Sequence, residues 1–104
     1  MKRLASVMKV HKEFYEEYER RHHELWPEMK QTLKDYGVSH YSIFLLKETG
    51  QLFAYLWVKD EQLYEQVAQT DICQKWWTYM EPLMETNADR SPVSIEMSEV
   101  FYLE

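Results

Sequence analysis

The chain reads as an α+β domain of order βαββαβ, the ferredoxin-like layout in which an antiparallel sheet carries helices on one face. Three observations predict it. A run of period two opens the sequence, a helical period occupies residues 12–36, and two runs rich in β-branched and aromatic residues flank a short turn.

Residues 3–10, RLASVMKV, alternate as a first strand, with Leu4, Ser6, Met8 and Val10 on one face and Ala5 and Val7 on the other. From about Lys12 to Tyr36 the apolar positions Phe14, Tyr18, Leu25, Met29 and Leu33 recur four or seven apart, which is the helical period. Pro27 lacks an amide hydrogen and crowds the turn before it, so this helix should kink near Trp26 or restart at Pro27, and Gly37 should end it. VSHYSIFLL, from residue 38, and QLFAYLWV, 51–58, then form a central hairpin around Glu48-Thr49-Gly50.

Asp60 suits the N-cap of a short helix through Val67, and Thr70 or Asp71 suits the cap of a second one through Trp76, Trp77 and Met80. Thr86 to Pro92 reads as a loop, after which VSIEMSEVFYL returns to strand composition. Strands this apolar leave one sheet face that the helices do not cover. A second copy of the chain is the expected cover, because most soluble oligomers are symmetric homodimers.

The 104 residues suffice for one core, hence a single domain spanning 1–104. A hydrophobic fraction of 45%, with four Trp and eight Tyr, is too high for a disordered segment and supplies more aromatics than a core of this size needs. The formal net charge of -6, without a basic run, disfavours a nucleic-acid partner. Cys73, the lone cysteine, cannot close an intrachain disulfide and fits a reducing cytoplasm. The N-terminus lacks a signal-peptide pattern, and no apolar run approaches the ~20 residues a membrane helix needs, so a soluble, unprocessed chain is expected.

The segment EYERRHHELWP, residues 17–27, concentrates unusual chemistry on the first helix. Tyr18 and His22 are one turn apart, and Leu25 and Met29 continue the same stripe, so His22 faces the interior while His23 points about 100° away. His22 could be a core histidine with both nitrogens satisfied. It could equally exchange protons near neutral pH, with Tyr18 placing a hydroxyl beside the same pocket. A metal on His22 and His23, joined by His11 or His40, is disfavoured because adjacent helical positions diverge and no HExxH spacing occurs. Arg20 and Arg21 have ordinary partners in Glu16, Glu17, Glu19 and Glu24 at helical spacing.

Trp76 and Trp77 project about 100° apart on their helix and cannot fill one slot. At least one should line a cleft or an interface, where an indole face suits the C–H face of a sugar ring better than a phosphate. Tyr41 should share an inward strand face with Ser39, Ile43 and Leu45, its hydroxyl bonding a ligand or a backbone carbonyl. No phosphate loop, GxSxG elbow or cysteine motif is present, which weakens phosphoryl, acyl and redox chemistry.

Taken together, YxRRHxxxWP at 18–27, Tyr41, TDICQKWWTYM at 70–80, and SPVS followed by EVFYL at the C-terminus resemble the L-rhamnose mutarotase family along essentially the whole chain. The resemblance implies a homodimeric, cofactor-free cytoplasmic enzyme of the dimeric α/β-barrel type, an isomerase that interconverts the α and β anomers of L-rhamnose. By position it implies His22 as proton donor, Tyr18, Tyr41, Trp76 and Trp77 as substrate-binding residues, and a dispensable His23. Two other readings stay open: another dimeric α/β-barrel protein, such as a cofactor-free monooxygenase or a haem-handling protein with His22 as ligand, and a non-catalytic sugar-binding module.

Overall fold

The computed structural model describes all 104 residues, and its sheet has the strand order β2-β3-β1-β4 with every neighbouring pair antiparallel. This is the ferredoxin-like arrangement. Strand β1 spans Lys2–Lys9, β2 Val38–Leu46, β3 Gln51–Val58 and β4 Ile95–Met97. Because β1 and β3 pair from Lys2 opposite Val58 to Lys9 opposite Gln51, their side chains fall into two clean sets. Leu4, Ser6 and Met8 lie beside Leu52, Ala54, Leu56 and Val58 on the inner face, and Arg3, Ala5 and Val7 beside Phe53, Tyr55 and Trp57 on the outer face.

The predicted first helix is divided. A 3-10 turn at Lys12–Phe14 leads into α1, Tyr15–His23, and α2 begins at Pro27 and runs to Asp35. Trp26 takes an extended ψ of 132°, as the residue before a proline must, and Pro27 then occupies the first helical turn, where its missing N–H costs nothing. Gly37 stops the segment with φ +85°, a conformation that only glycine adopts cheaply. In the hairpin turn Gly50 has φ +81°, and a Cβ there would stand 2.8 Å from the Val10 carbonyl oxygen. That close approach lets the Gly50 carbonyl accept the Val10 N–H at 2.9 Å, tying the turn to the end of β1.

Both short-helix caps form as the sequence predicts. The Asp60 carboxylate accepts from the Gln62 and Leu63 amides to start α3, Glu61–Glu65, which continues as a 3-10 turn through Gln69. Thr70 Oγ1 accepts from the Cys73 amide to start α4, Asp71–Met80. The helices and the inner sheet face enclose a cluster that includes Val10, Leu52, Val67, Met80 and Leu83, and Val38, Leu56 and Val58 form a second one. Fully burying a side chain such as Leu52 or Val58 contributes about 1.5–3 kcal/mol.

Two expectations need correction. VSIEMSEVFYL forms only a three-residue strand, and residues 98–104 leave the sheet with Val100, Phe101 and Leu103 exposed; backbone pairing stops at Met97 opposite Ala5, and beyond it the tail meets β1 through side chains, Arg3 bonding Glu99 and lying 3.6 Å from the centre of the Tyr102 ring. In β2, Ser39 pairs with Trp57 but Ser42 with Tyr55, so His40 and Tyr41 together oppose one residue of β3. This bulge, with His40 at φ 52°, breaks the alternation. Ser39 therefore lies on the outer face, opposite to Ile43 and Leu45.

Candidate active site

The space between the helices and the inner sheet face is a cavity of about 1080 Å³. Tyr18, His22, Tyr41, Trp76 and Trp77 all line it, although they come from three elements far apart in sequence. Helical period explains the first pair. Tyr18 and His22 are one turn apart on α1, and their rings lie 4.3 Å apart between centroids at 30°.

His22 is held on several sides. Its Nδ1 donates to the Tyr18 backbone carbonyl at 3.1 Å, which leaves Nε2 as the nitrogen free for a ligand. Its edge meets the Trp76 ring at 5.5 Å and 86°. Burial lowers the imidazole pKa from its ordinary value, opposed by the hydrogen bond to Tyr18 and aided slightly by His23, so at neutral pH the ring is neutral. His23 itself is exposed, with Nε2 3.9 Å from a Glu19 carboxylate oxygen.

The tandem tryptophans divide the work. Trp76 is buried against Trp26, Tyr79 and His22, whereas Trp77 is half-buried; both indoles contribute to the cavity wall. Trp26 reaches Trp76 edge-on at 5.0 Å because Pro27 bends the chain there. The bend thus divides the helix and supports the site at the same point.

Arg20 has the ordinary role expected, paired with Glu17 and Glu24 on the solvated side. Arg21 does more. It shares Glu17, donates to the Tyr79 carbonyl oxygen and lies 4.0 Å from the centre of the Tyr79 ring, so it fastens α1 to α4 and sets His22 against Trp76. Hydrogen bonds from Arg20 and then Arg21 hold the Glu17 carboxyl well below its usual range, at about 2. Residues 58 apart carry no sequence signal for the Arg21 clamp.

Tyrosine hydroxyls supply the polar lining. Tyr41 keeps 40% of its surface accessible, as the wall of an open cavity does, yet the atoms crowding its hydroxyl still push the phenol strongly up. Burial raises Tyr18 as well, so both stay protonated donors. Tyr64 and Cys73, which are outside the set expected from sequence, also line the cavity, and burial pushes the Cys73 thiol up to about 11, which keeps it an inert thiol. The sequence does carry a signal for Tyr64: it precedes Val67 by three on one apolar stripe, the pattern that marks Tyr18. No three His, Cys, Asp or Glu side chains converge anywhere in the chain.

A family model for L-rhamnose mutarotase matches residues 3–103. The chain belongs to the L-rhamnose mutarotase family. An L-rhamnose mutarotase of Shouchella clausii is 65% identical over 103 residues, with 99% of each chain covered. The crystal structure of an L-rhamnose mutarotase from Formosa agariphila superposes with a TM-score of 0.92 at 48% identity, over 100% of both chains. A dimeric ferredoxin-like protein from an uncultured marine organism shares the fold at a TM-score of 0.71 and 10% identity, with 99% of each chain covered. Pieces of the motif shared with the L-rhamnose mutarotase family that lie far apart in sequence, Tyr18, His22, Tyr41, Trp76 and Trp77, meet around one cavity, whereas EVFYL lies beyond the last strand, where Glu99 and Tyr102 meet Arg3.

Proposed function

We propose that this chain is an L-rhamnose mutarotase, a cofactor-free isomerase that exchanges the α and β anomers by opening and reclosing the ring at C1. The observation that carries this reading is the oriented His22, with Nδ1 committed to a carbonyl and Nε2 free, in a cavity that Tyr18, Tyr41, Trp76 and Trp77 also line. Neutral Nε2 takes the proton of the anomeric hydroxyl as the C1–O5 bond breaks, and the imidazolium donates a proton to O5. Both oxygens are bonded to C1, so one imidazole reaches each in turn. Rotation about C1–C2 and the reverse transfers give the other anomer. Tyr18 and Tyr41 donate hydrogen bonds to the sugar, and the indoles of Trp76 and Trp77 pack on its C–H surface.

Saturation-transfer NMR on the anomeric protons tests the reading. L-rhamnose exchange should accelerate when the purified protein is added, and an unchanged rate would refute the assignment.

The working form we infer is a homodimer of single-domain protomers, residues 1–104, in the cytoplasm. No helix is long and apolar enough to cross a membrane. The outer sheet face presents Val7, Phe44, Phe53, Trp57 and Ile95 with no helix over it, and Phe44 and Ile95 are 65% and 67% exposed. A contiguous apolar face of this kind marks an interface. Phe44→Glu would bury a charge there, so light scattering should report a dimer mass for the unaltered protein and a monomer mass for the variant; a variant that stays dimeric would place the interface elsewhere.

A further inference from the structure

We propose that Tyr64 is a further substrate-binding residue, whose hydroxyl bonds a ring hydroxyl of the sugar remote from the anomeric carbon and thereby helps set specificity. The inference rests on the mutarotase reading and extends its site. Tyr64 lines the cavity from α3, an element that supplies none of the five residues singled out above. Its ring packs against both apolar clusters, the one beneath α1 and α4 and the one formed by Val38, Leu56 and Val58. It therefore stands toward the Val38 end of the cavity, whereas His22 stands between Tyr18 and Trp76.

The ring alone would be explained by packing; the hydroxyl is not. The only tyrosine hydroxyls bonded within the chain are those of Tyr15 and Tyr55. Tyr64 is half-buried and lines the cavity, and no buried side-chain oxygen is left without a partner, so its unbonded hydroxyl keeps accessible surface and is free to meet a ligand. Phenylalanine would fill the same apolar surroundings without desolvating a polar group. The Tyr64 phenol is raised by burial and acts on Tyr41, which puts the two hydroxyls in one neighbourhood. The backbone beneath it is firm, since the Tyr64 amide donates to the Asp60 carbonyl at 3.0 Å in the turn that the Asp60 side chain caps.

With C1 at His22, a deoxyhexose ring presents its remaining hydroxyls away from the imidazole. A protein hydroxyl that meets one of them rejects analogues lacking it, because its own polar group is then left unpaired. Tyr64→Phe should raise KM for L-rhamnose roughly three- to tenfold, the scale of one neutral hydrogen bond, with kcat within about twofold and an unchanged melting temperature.

The decisive comparison measures unaltered protein and Tyr64→Phe on L-rhamnose and on its 3-deoxy and 4-deoxy analogues. The KM penalty should vanish for one of the two analogues. An unchanged KM on L-rhamnose, or a penalty equal on all three sugars, would overturn the proposal. If the unaltered protein does not turn over L-rhamnose at all, the mutarotase reading falls first and takes this one with it.

Discussion

His22→Gln eliminates enzyme-dependent anomer exchange and leaves the fold intact. Glutamine retains a donor for the Tyr18 carbonyl but cannot carry a proton between two oxygens, so the loss is that of general acid-base catalysis, about 10²–10⁴-fold. The uncatalysed reaction sets the floor. The circular dichroism spectrum should match that of the unaltered protein, and a variant with undiminished exchange would remove His22 from the mechanism. The unaltered enzyme should also show a one-sided pH profile in kcat/KM. Burial lowers the His22 pKa, so activity is constant at neutral pH and falls in acid with a midpoint below the ordinary histidine value of about 6.5. A midpoint above that value would contradict the burial argument. Stability follows the same sign: the unfolded chain binds this proton at about 6.5 and the folded chain only at lower pH, so the stability present above 6.5 declines as pH falls through the folded value.

Trp76→Ala and Trp77→Ala should separate although the residues are neighbours. Trp76 is 8% exposed and touches Trp26, Tyr79 and His22, so truncation leaves a large void and costs about 3–5 kcal/mol. For a domain of this size that lowers the melting temperature by more than about 10 °C. Trp77 is half-buried, and its loss should weaken sugar binding with a clearly smaller thermal penalty. Melting curves and L-rhamnose titrations of the two variants check this, and equal melting shifts would show that Trp77 is as much a core residue as Trp76.

Local chemistry makes much of the site legible in the sequence. One apolar stripe on α1 carries Tyr18 and His22, so the helical period alone separates His22 from His23. The caps at Asp60 and Thr70 and the restart at Pro27 depend on a few adjacent residues and form as expected. Less is legible wherever an element depends on its neighbour. The face of Ser39 follows from strand period until the bulge at His40 shifts the register, and a bulge depends on how β2 meets β3. The last strand fails the same way: its composition suits a strand as far as Leu103, but backbone pairing with β1 ends at Ala5, and Glu99 and Tyr102 engage Arg3 through their side chains instead.

Composition, period and motif thus determined the fold class, the family resemblance and the inward histidine, since each is written in residues close along the chain. Tertiary structure alone decided which indole is buried, that Arg21 clamps α1 to Tyr79, and that Tyr64 shares the cavity with Tyr41. The reason is range. A helix face or a cap is set within a turn, but a contact between α1 and α4 exists only once the sheet has brought both helices to the same side.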